Sequence, residues 1–600
     1  MKNSVILTVL LMVIFAAGSC TTTLMPQKEV TQDEIDRLVA SARAQLRINE
    51  PSQRQDQQPL VLAHYMPWFQ KYGYHWTEGS AKHDPGEILP SGRANIIPHY
   101  YPLTGNYDSA DPVLLEYQVA LMKMAGIDGV IFDWYGITEG VDYKPIHEAT
   151  MAMIEVLRKW GMKYTICYED QSIKHLIEFG VINRDEGIST AKETFEWMEK
   201  NWFVDEGYVK VDGRPLVLCF GPQHFGQKSE WDQIWAGLSA RPFFIDLDAR
   251  TSWADGAKSW SPMHMSSGGR LTLGSLVRYM NEFYQKQQAK PYVVGTAMPG
   301  FHDVYAQAGK SHGSYGFLDY NNGETFKLTW DAAEMARANV IQIQTWNDYG
   351  EGTIIEPTIE RGYKELEFTQ EKRKERDPSF PFTPIDLRIP IELFKILSAE
   401  NVTDQQKEQV AEIYNSIIAG DVDNLRFAVR MVVPEYDLSV RPMLLKPSEA
   451  TEAVSVFDPA GKKNLALGKP VVASSRIDVY AATRSVDGDV NSYWEGGARA
   501  YPGTLQVDLG SQEALGTIVI KLNPNRMWAK RTQAIEVKVS NDGAAWTTAV
   551  QPKEYIFDPT ANSNSVVITL NAETRHVQLV FTANSGATNG QVAEFEIYGR

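Results

Sequence analysis

Cysteine is almost absent from this chain: three residues in 600, at positions 20, 167 and 219. No spacing of Cys with His matches a zinc site. Cys167 and Cys219 each fall inside an apolar, strand-like run and are expected as free buried thiols, with a disulfide as the alternative. Cationic residues are also in short supply. Against 75 Asp and Glu stand 58 Lys and Arg, a formal charge of -17, and a chain without clustered cations is not built to neutralise nucleic-acid phosphates. After residue 17 no apolar run is long enough to span a bilayer. No Gly-rich fingerprint follows the first strand-like run, which weighs against a dinucleotide fold. Aromatic residues, by contrast, are plentiful at 11%, which suits ring-lined binding surfaces as well as large cores. A hydrophobic share of 43% with 22% charged residues is that of a folded soluble protein. The length calls for two or more domains, and a monomer is expected.

Lys2, the apolar stretch 5–17 and Ala17-Gly18-Ser19-Cys20 make a targeting segment. It resembles a bacterial lipoprotein signal, which implies a lipid on Cys20. That places the chain in the cell envelope, at the outer membrane, on the periplasmic face or the cell surface. Residues 21–58 read as a polar tether with one docking helix over 33–46, where Ile35, Leu38, Val39 and Ala42 share a face.

From residue 59 to about 380 short apolar runs alternate with helical patterns. The runs are 60–65, 129–133, 164–168, 216–220, 243–247, a weak one at 257–260, 292–297 and 340–345. Eight strands alternating with helices predict an α/β fold, a closed (β/α)8 barrel. Polar and aromatic residues collect where these runs end: Tyr65 and Trp68; Asp133, Trp134 and Tyr135; Glu169 and Asp170; Asp246 and Asp248; Trp260; Trp346 and Asn347. Barrel enzymes build their sites on that face, so these side chains are candidates for one cleft. Residues 381–445 read as a helical appendage and 446–463 as a linker. Residues 464–600 read as an all-β sandwich of short alternating runs separated by turns.

The last barrel run leads into Trp346-Asn347-Asp348-Tyr349-Gly350-Glu351-Gly352. A helical turn there would put Asp348 and Glu351 on one side. Like charges that close force one carboxyl to keep its proton, and a protonated and an ionised carboxyl are what glycoside cleavage uses. The plainer reading is an Asp that caps the turn with Glu351 as a loop charge. Glycines 350 and 352 are expected to let the chain bend.

That segment resembles the catalytic segment of glycoside hydrolase family 71, the α-1,3-glucanases. It is also similar to the Glu-x-x-Glu segment of family 99, the endo-α-mannosidases and endo-α-mannanases. Ala63-His64-Tyr65-Met66-Pro67-Trp68-Phe69 and Gly129-Val130-Ile131-Phe132-Asp133-Trp134-Tyr135-Gly136 resemble the same two families. The resemblance implies a (β/α)8 barrel, Glu351 as general acid, Asp348 as general base, no catalytic cofactor, and an α-linked polysaccharide or glycan as substrate, cut within the chain. Family 99 passes through a substrate 2-hydroxyl; the shorter Asp at 348 favours activated water and inversion instead. The alternatives are an endo-α-mannosidase-like enzyme that works through the 2-hydroxyl, a surface protein that binds glycans without cleaving them, and a glycosidase that pairs Asp133 or Glu169 with Glu351.

Asp487-Gly488-Asp489-Val490-Asn491-Ser492-Tyr493-Trp494 and the closing Ala593-Glu594-Phe595-Glu596-Ile597 resemble the discoidin-like fold, which includes the family 32 carbohydrate-binding modules. The resemblance implies a calcium ion held by Asp487, Asp489, Ser492, the Ala593 carbonyl and Glu594. For sugar binding by the module the candidates are Arg526, Trp528 and Arg531.

Overall fold

A computed structural model describes residues 32–49, 58–89, 93–433, 462–477, 480–498, 500–524, 528, 530–559 and 562–600. The expected signal with Cys20, parts of the tether and linker, and Arg526 lie outside the described residues.

Eight parallel strands close on themselves. They are β1 (Leu60–Tyr65), β2 (Gly129–Trp134), β3 (Lys163–Tyr168), β4 (Arg214–Cys219), β5 (Phe243–Leu247), β6 (Gly256–Lys258), β7 (Val293–Ala297) and β8 (Val340–Ile343). Each pairs with its chain neighbour, and β8 pairs with β1, so no edge is left. Gly129 has a local reason to be glycine: a Cβ there would lie 2.0 Å from the Lys163 carbonyl oxygen of the next strand.

Side chains alternate along each strand. Leu62, Ile131, Cys167, Leu216, Leu218, Ile245, Val294 and Val340 fill the lower barrel as a separate apolar cluster. The outward residues pack under the helices. These are α2 (Pro112–Ala125), α3 (Tyr143–Lys159), α4 (Gln171–Glu178), α5 (Gly187–Met198), α6 (Lys228–Ile234), α7 (Leu273–Lys286), α8 (Glu324–Met335) and α9 (Lys364–Arg376). Asp111 shows why α2 starts where it does: its side chain accepts the Val113 N–H at 2.8 Å, Pro112 sits at the first turn, and left-handed Gly126 ends the helix. No helix separates β5 from β6, whose three residues are the weak run of the sequence.

The N-terminal helix α1 (Gln32–Arg43) buries Ile35, Val39 and Ala42, whereas Leu38 is 48% exposed. Arg43 reaches Asp331 of α8 at 2.8 Å, and Asn281 of α7 binds the Arg47 N–H at 2.7 Å. The appendage is three helices, α10 (Ile389–Leu397), α11 (Asp404–Ala419) and α12 (Val422–Val432), the first two laid against α2.

The C-terminal domain is antiparallel. Its strands are β9 (Val471–Ala473), β10 (Gly503–Lys521), β11 (Arg531–Ser540), β12 (Thr547–Phe557), β13 (Ser565–Asn584) and β14 (Glu594–Gly599). The order is β9-β10-β13-β11-β12, with β14 on the other side of β10. Register shifts between Asp508 and Glu513 break β10 in two: its first half pairs with β9, its second half with β14. Trp494, Leu505, Val507, Ile518, Ile520, Phe581, Phe595 and Ile597 are buried in the common core. Among the described residues no helix is long and apolar enough to cross a membrane.

Candidate active site

The loop after β8 is a hydrogen-bonded turn rather than a helix. Asp348 receives the Glu351 N–H on Oδ1 at 2.9 Å, and its own N–H is bound by Thr345 Oγ1 at 2.8 Å. Asp348 therefore caps the turn and still presents a carboxylate beside Glu351. The two glycines differ in purpose. Gly352 has φ +65 and bends the chain, whereas at Gly350 a Cβ would make only ordinary contacts, with Asp348 Oδ1 at 3.4 Å and Glu78 Oε1 at 3.5 Å.

Neighbouring loops fix this turn from both sides. Asn347 Oδ1 accepts the Met66 N–H at 2.8 Å and its Nδ2 donates to the Met66 carbonyl at 2.9 Å, so the side chain copies a strand pairing beyond the end of β1. From the β7 side the His302 N–H reaches the Glu351 carbonyl at 2.8 Å and the Val304 N–H the Gly350 carbonyl at 3.0 Å. Beneath lies Glu356, which binds Tyr107 and Tyr349 hydroxyls at 2.9 and 2.8 Å and Gln118 Nε2 at 2.7 Å. Burial pushes its pKa to about 7.

Electrostatics separate the two acids. Burial, then the charges of Asp348 and Asp303, push Glu351 well above the usual carboxylate range, against a hydrogen bond from Tyr305. Asp348 is raised by burial too, to about 7, but the Glu351 amide favours its ionised form. The proton belongs on Glu351 and the charge on Asp348.

The expected cleft residues divide by the direction in which their strands point them. Asp133 faces inward with His64, whose Nε2 lies 3.8 Å from Asp133 Oδ1, and Tyr135 OH is 3.5 Å from Asp133 Oδ2. Glu169 joins this floor, raised by burial and then by Asp133. Trp68 stacks on His75 at 4.9 Å. Tyr65 and Trp134 face the helices: Tyr65 donates to Gln118 at 2.8 Å, and Trp134 packs against Trp197 and Trp202. Trp346 is fully buried, and Asn347 serves the backbone as described. Asp170 is also turned away. It accepts N–H bonds from Gln223, His224 and Phe225 at 2.7 to 2.9 Å, which shapes the loop after β4.

Other residues complete the cleft. Lys258, inside β6, is fully buried, 3.1 Å from Cys167 Sγ, with its ammonium over the Phe220 and Trp260 rings. A lysine within an apolar run was the signal for it. Glu78, Asp303, Tyr305 and Lys310 come from loops, where no periodicity marks them. His64, Asp133 and Cys167 could in geometry share a metal ion, but the Lys258 ammonium on Cys167 already supplies a cation there, and the donor set is a poor fit.

In the C-terminal domain Asp487 and Ser492 meet at 2.6 Å, and Glu594 accepts the Gly488 N–H at 2.9 Å. Burial and then the facing Asp487 push Glu594 up to about 8. Two carboxylates pressed together with a hydroxyl are a donor set that suits calcium. Asp489 instead turns its Oδ1 onto the Asn491 N–H at 2.9 Å. Trp528 is buried against Tyr493, and Arg531 binds Gln591 Oε1 at 2.6 Å.

Residues 470–595 match the F5/8 type C domain family. Over 322 residues the chain is 22% identical to a glycoprotein endo-alpha-1,2-mannosidase-like protein of Danio rerio, which takes in 50% of this chain and 68% of that protein. Among solved structures, the GH99 endo-alpha-mannosidase of Bacteroides thetaiotaomicron aligns at 18% identity and a TM-score of 0.40, covering 54% of this chain and 99% of its own. Chitosan-binding module 1 of a chitosanase/glucanase from Paenibacillus sp. IK-5 aligns at 24% identity and a TM-score of 0.19, covering 23% of this chain and 99% of its own.

Proposed function

We propose that this chain is a glycoside hydrolase that cuts within α-linked glycans, with Glu351 as general acid and Asp348 as general base. The observation that carries the reading is a pair of buried carboxyls, Asp348 and Glu351, on one hydrogen-bonded turn at the mouth of a closed barrel. The Danio rerio relative, by its name an endo-alpha-1,2-mannosidase-like protein, favours an α-mannoside as substrate. Glu351 protonates the leaving oxygen while Asp348 takes a proton from the attacking group. With the shorter Asp at 348, that group is water, and the product anomer is inverted. Trp68 offers an apolar ring face to the C–H side of a sugar, and Asp133, Tyr135 and Glu169 bind hydroxyls.

The test is hydrolysis of α-mannans and α-glucans by the wild type, Glu351→Gln and Asp348→Asn. Each substitution is expected to lower kcat/KM roughly a thousandfold. Full activity in both variants overturns the assignment. NMR of the first product anomer decides the route: retention replaces activated water by participation of the 2-hydroxyl, the family 99 pattern. Glycan binding with no cleavage by the wild type supports a capture protein instead.

Calcium is proposed at Asp487, Ser492, Glu594 and the Ala593 carbonyl, where it would neutralise the two facing carboxylates. The C-terminal domain is proposed to bind sugar, and a lipid on Cys20 to hold the chain in the bacterial envelope. Radiolabelled palmitate incorporation, lost in Cys20→Ser, tests the anchor.

A further inference from the structure

A third carboxylate reaches the acid pair. Glu78, in the loop after β1, places Oε1 against Gly350, on the same side as Asp348 Oδ1. Its own backbone is left-handed, with φ 49, a conformation uncommon for a residue with a side chain. The surroundings are charged. Lys310, from the loop after β7, meets Glu78 Oε2 at 3.2 Å, and its ammonium also lies over the Tyr74 ring. His75 Nδ1 lies 3.6 Å from Glu78 Oε1, while His75 Nε2 is held at 3.0 Å by Asp142 of the loop after β2. Burial works to lower the His75 pKa, but Asp142 and Glu78 outweigh it and hold the ring above its ordinary value. Because β8 lies between β7 and β1 in the barrel, the Glu78–Lys310 bridge spans the loop that carries Asp348 and Glu351.

We propose that Glu78 is a positioning residue of the acid pair: its charge, fixed by Lys310 and His75, keeps the proton on Glu351 and sets the upper pH limit of catalysis. The proposal rests on the assignment of Glu351 as the acid. The groups facing Glu351 are Asp348 on its own loop, Glu78 from the β1 loop, and Asp303, Tyr305 and Tyr315 from the β7 loop. Those facing Asp348 include Glu78, His75 and Asp133. Glu78 lies on the Asp348 side of the pair, acts on Glu351 through space, and carries a cation that can be removed separately. A neighbouring negative charge favours the neutral acid, and a neighbouring positive charge opposes it. The two substitutions therefore have opposite signs.

The experiment uses the full chain labelled with 13C at the glutamate carboxyl carbons. The Glu351 resonance is identified by its loss in Glu351→Gln. In Glu78→Gln its titration midpoint is expected to fall by roughly one pH unit, and in Lys310→Met to rise; the upper limb of the pH–kcat/KM profile moves with it. Glu78→Asp, which keeps the charge, is expected to stay near the wild type. A Glu351 midpoint that does not move, or moves the same way in both charge variants, overturns the proposal. Should Glu78→Gln fail to fold, the sign of the Lys310→Met shift decides alone. A chain that shows the opposed shifts yet cleaves no α-glycan overturns the hydrolase reading and upholds the coupling; one that cleaves with an unmoved Glu351 midpoint overturns the coupling alone.

Discussion

At the scale of single residues, burial of carboxyls ties this protein's stability to pH. Glu356 is nearly inaccessible, and burial pushes its pKa up to about 7 against hydrogen bonds from Gln118, Tyr349 and Tyr107 that favour its charge. In an unfolded chain a glutamate titrates at about 4.3. Between those values the folded state keeps a proton that the unfolded state has released, so Glu356 makes stability fall as pH rises through this window and level off above it. Glu356→Gln is expected to reduce the proton uptake on folding by about one across that window; urea denaturation at a series of pH values measures it. The sequence placed Asp348, Glu351 and Asp133 in the region of the cleft because strand ends are where barrels gather chemistry. It did not separate Asp133 from Trp134, although alternation decides it: if one points inward, its neighbour points to the helices. Asp170 was hidden for another reason, since a carboxylate that ties a distant loop together looks, in sequence, like any acid at a strand end.

Elements show the same division between local and distant causes. All eight barrel strands were legible as apolar runs, including the three-residue β6, because each is buried on both faces. The missing helix between β5 and β6 explains why that run was the faintest. Loops were less legible: Glu78 and Lys310 meet only because the barrel brings the β1 and β7 loops to either side of β8. Within the β8 loop the bend itself is demanding. A Cβ on Gly352 would lie 2.7 Å from the His302 carbonyl oxygen, at φ +65. Gly352→Ala is expected to cost about 2–4 kcal/mol, read from a fall in Tm and in the denaturant midpoint. An unchanged Tm would show that the turn relaxes without loss.

For the whole molecule, the calcium proposed for the C-terminal domain makes a prediction about stability. Calcium proposed between Asp487 and Glu594 would replace the proton that burial and Asp487 hold on Glu594, so it is expected to raise the Tm of the transition that belongs to residues 462–600; at a hundred times its Kd it adds about 2.7 kcal/mol. Calorimetry with calcium and then with chelator tests this, and equal traces overturn the site. The domain also touches the barrel: Arg93, paired with Glu360 at 3.1 Å, donates to the Asn491 carbonyl at 3.4 Å. Its own architecture has a mechanical result. β13 runs alongside β10 for most of its length, while β9 and β14 pair with its first and second halves. Load entering near residue 462 or leaving near residue 600 therefore passes onto one strand, β10, as two threads knotted to the same cord pull on it together.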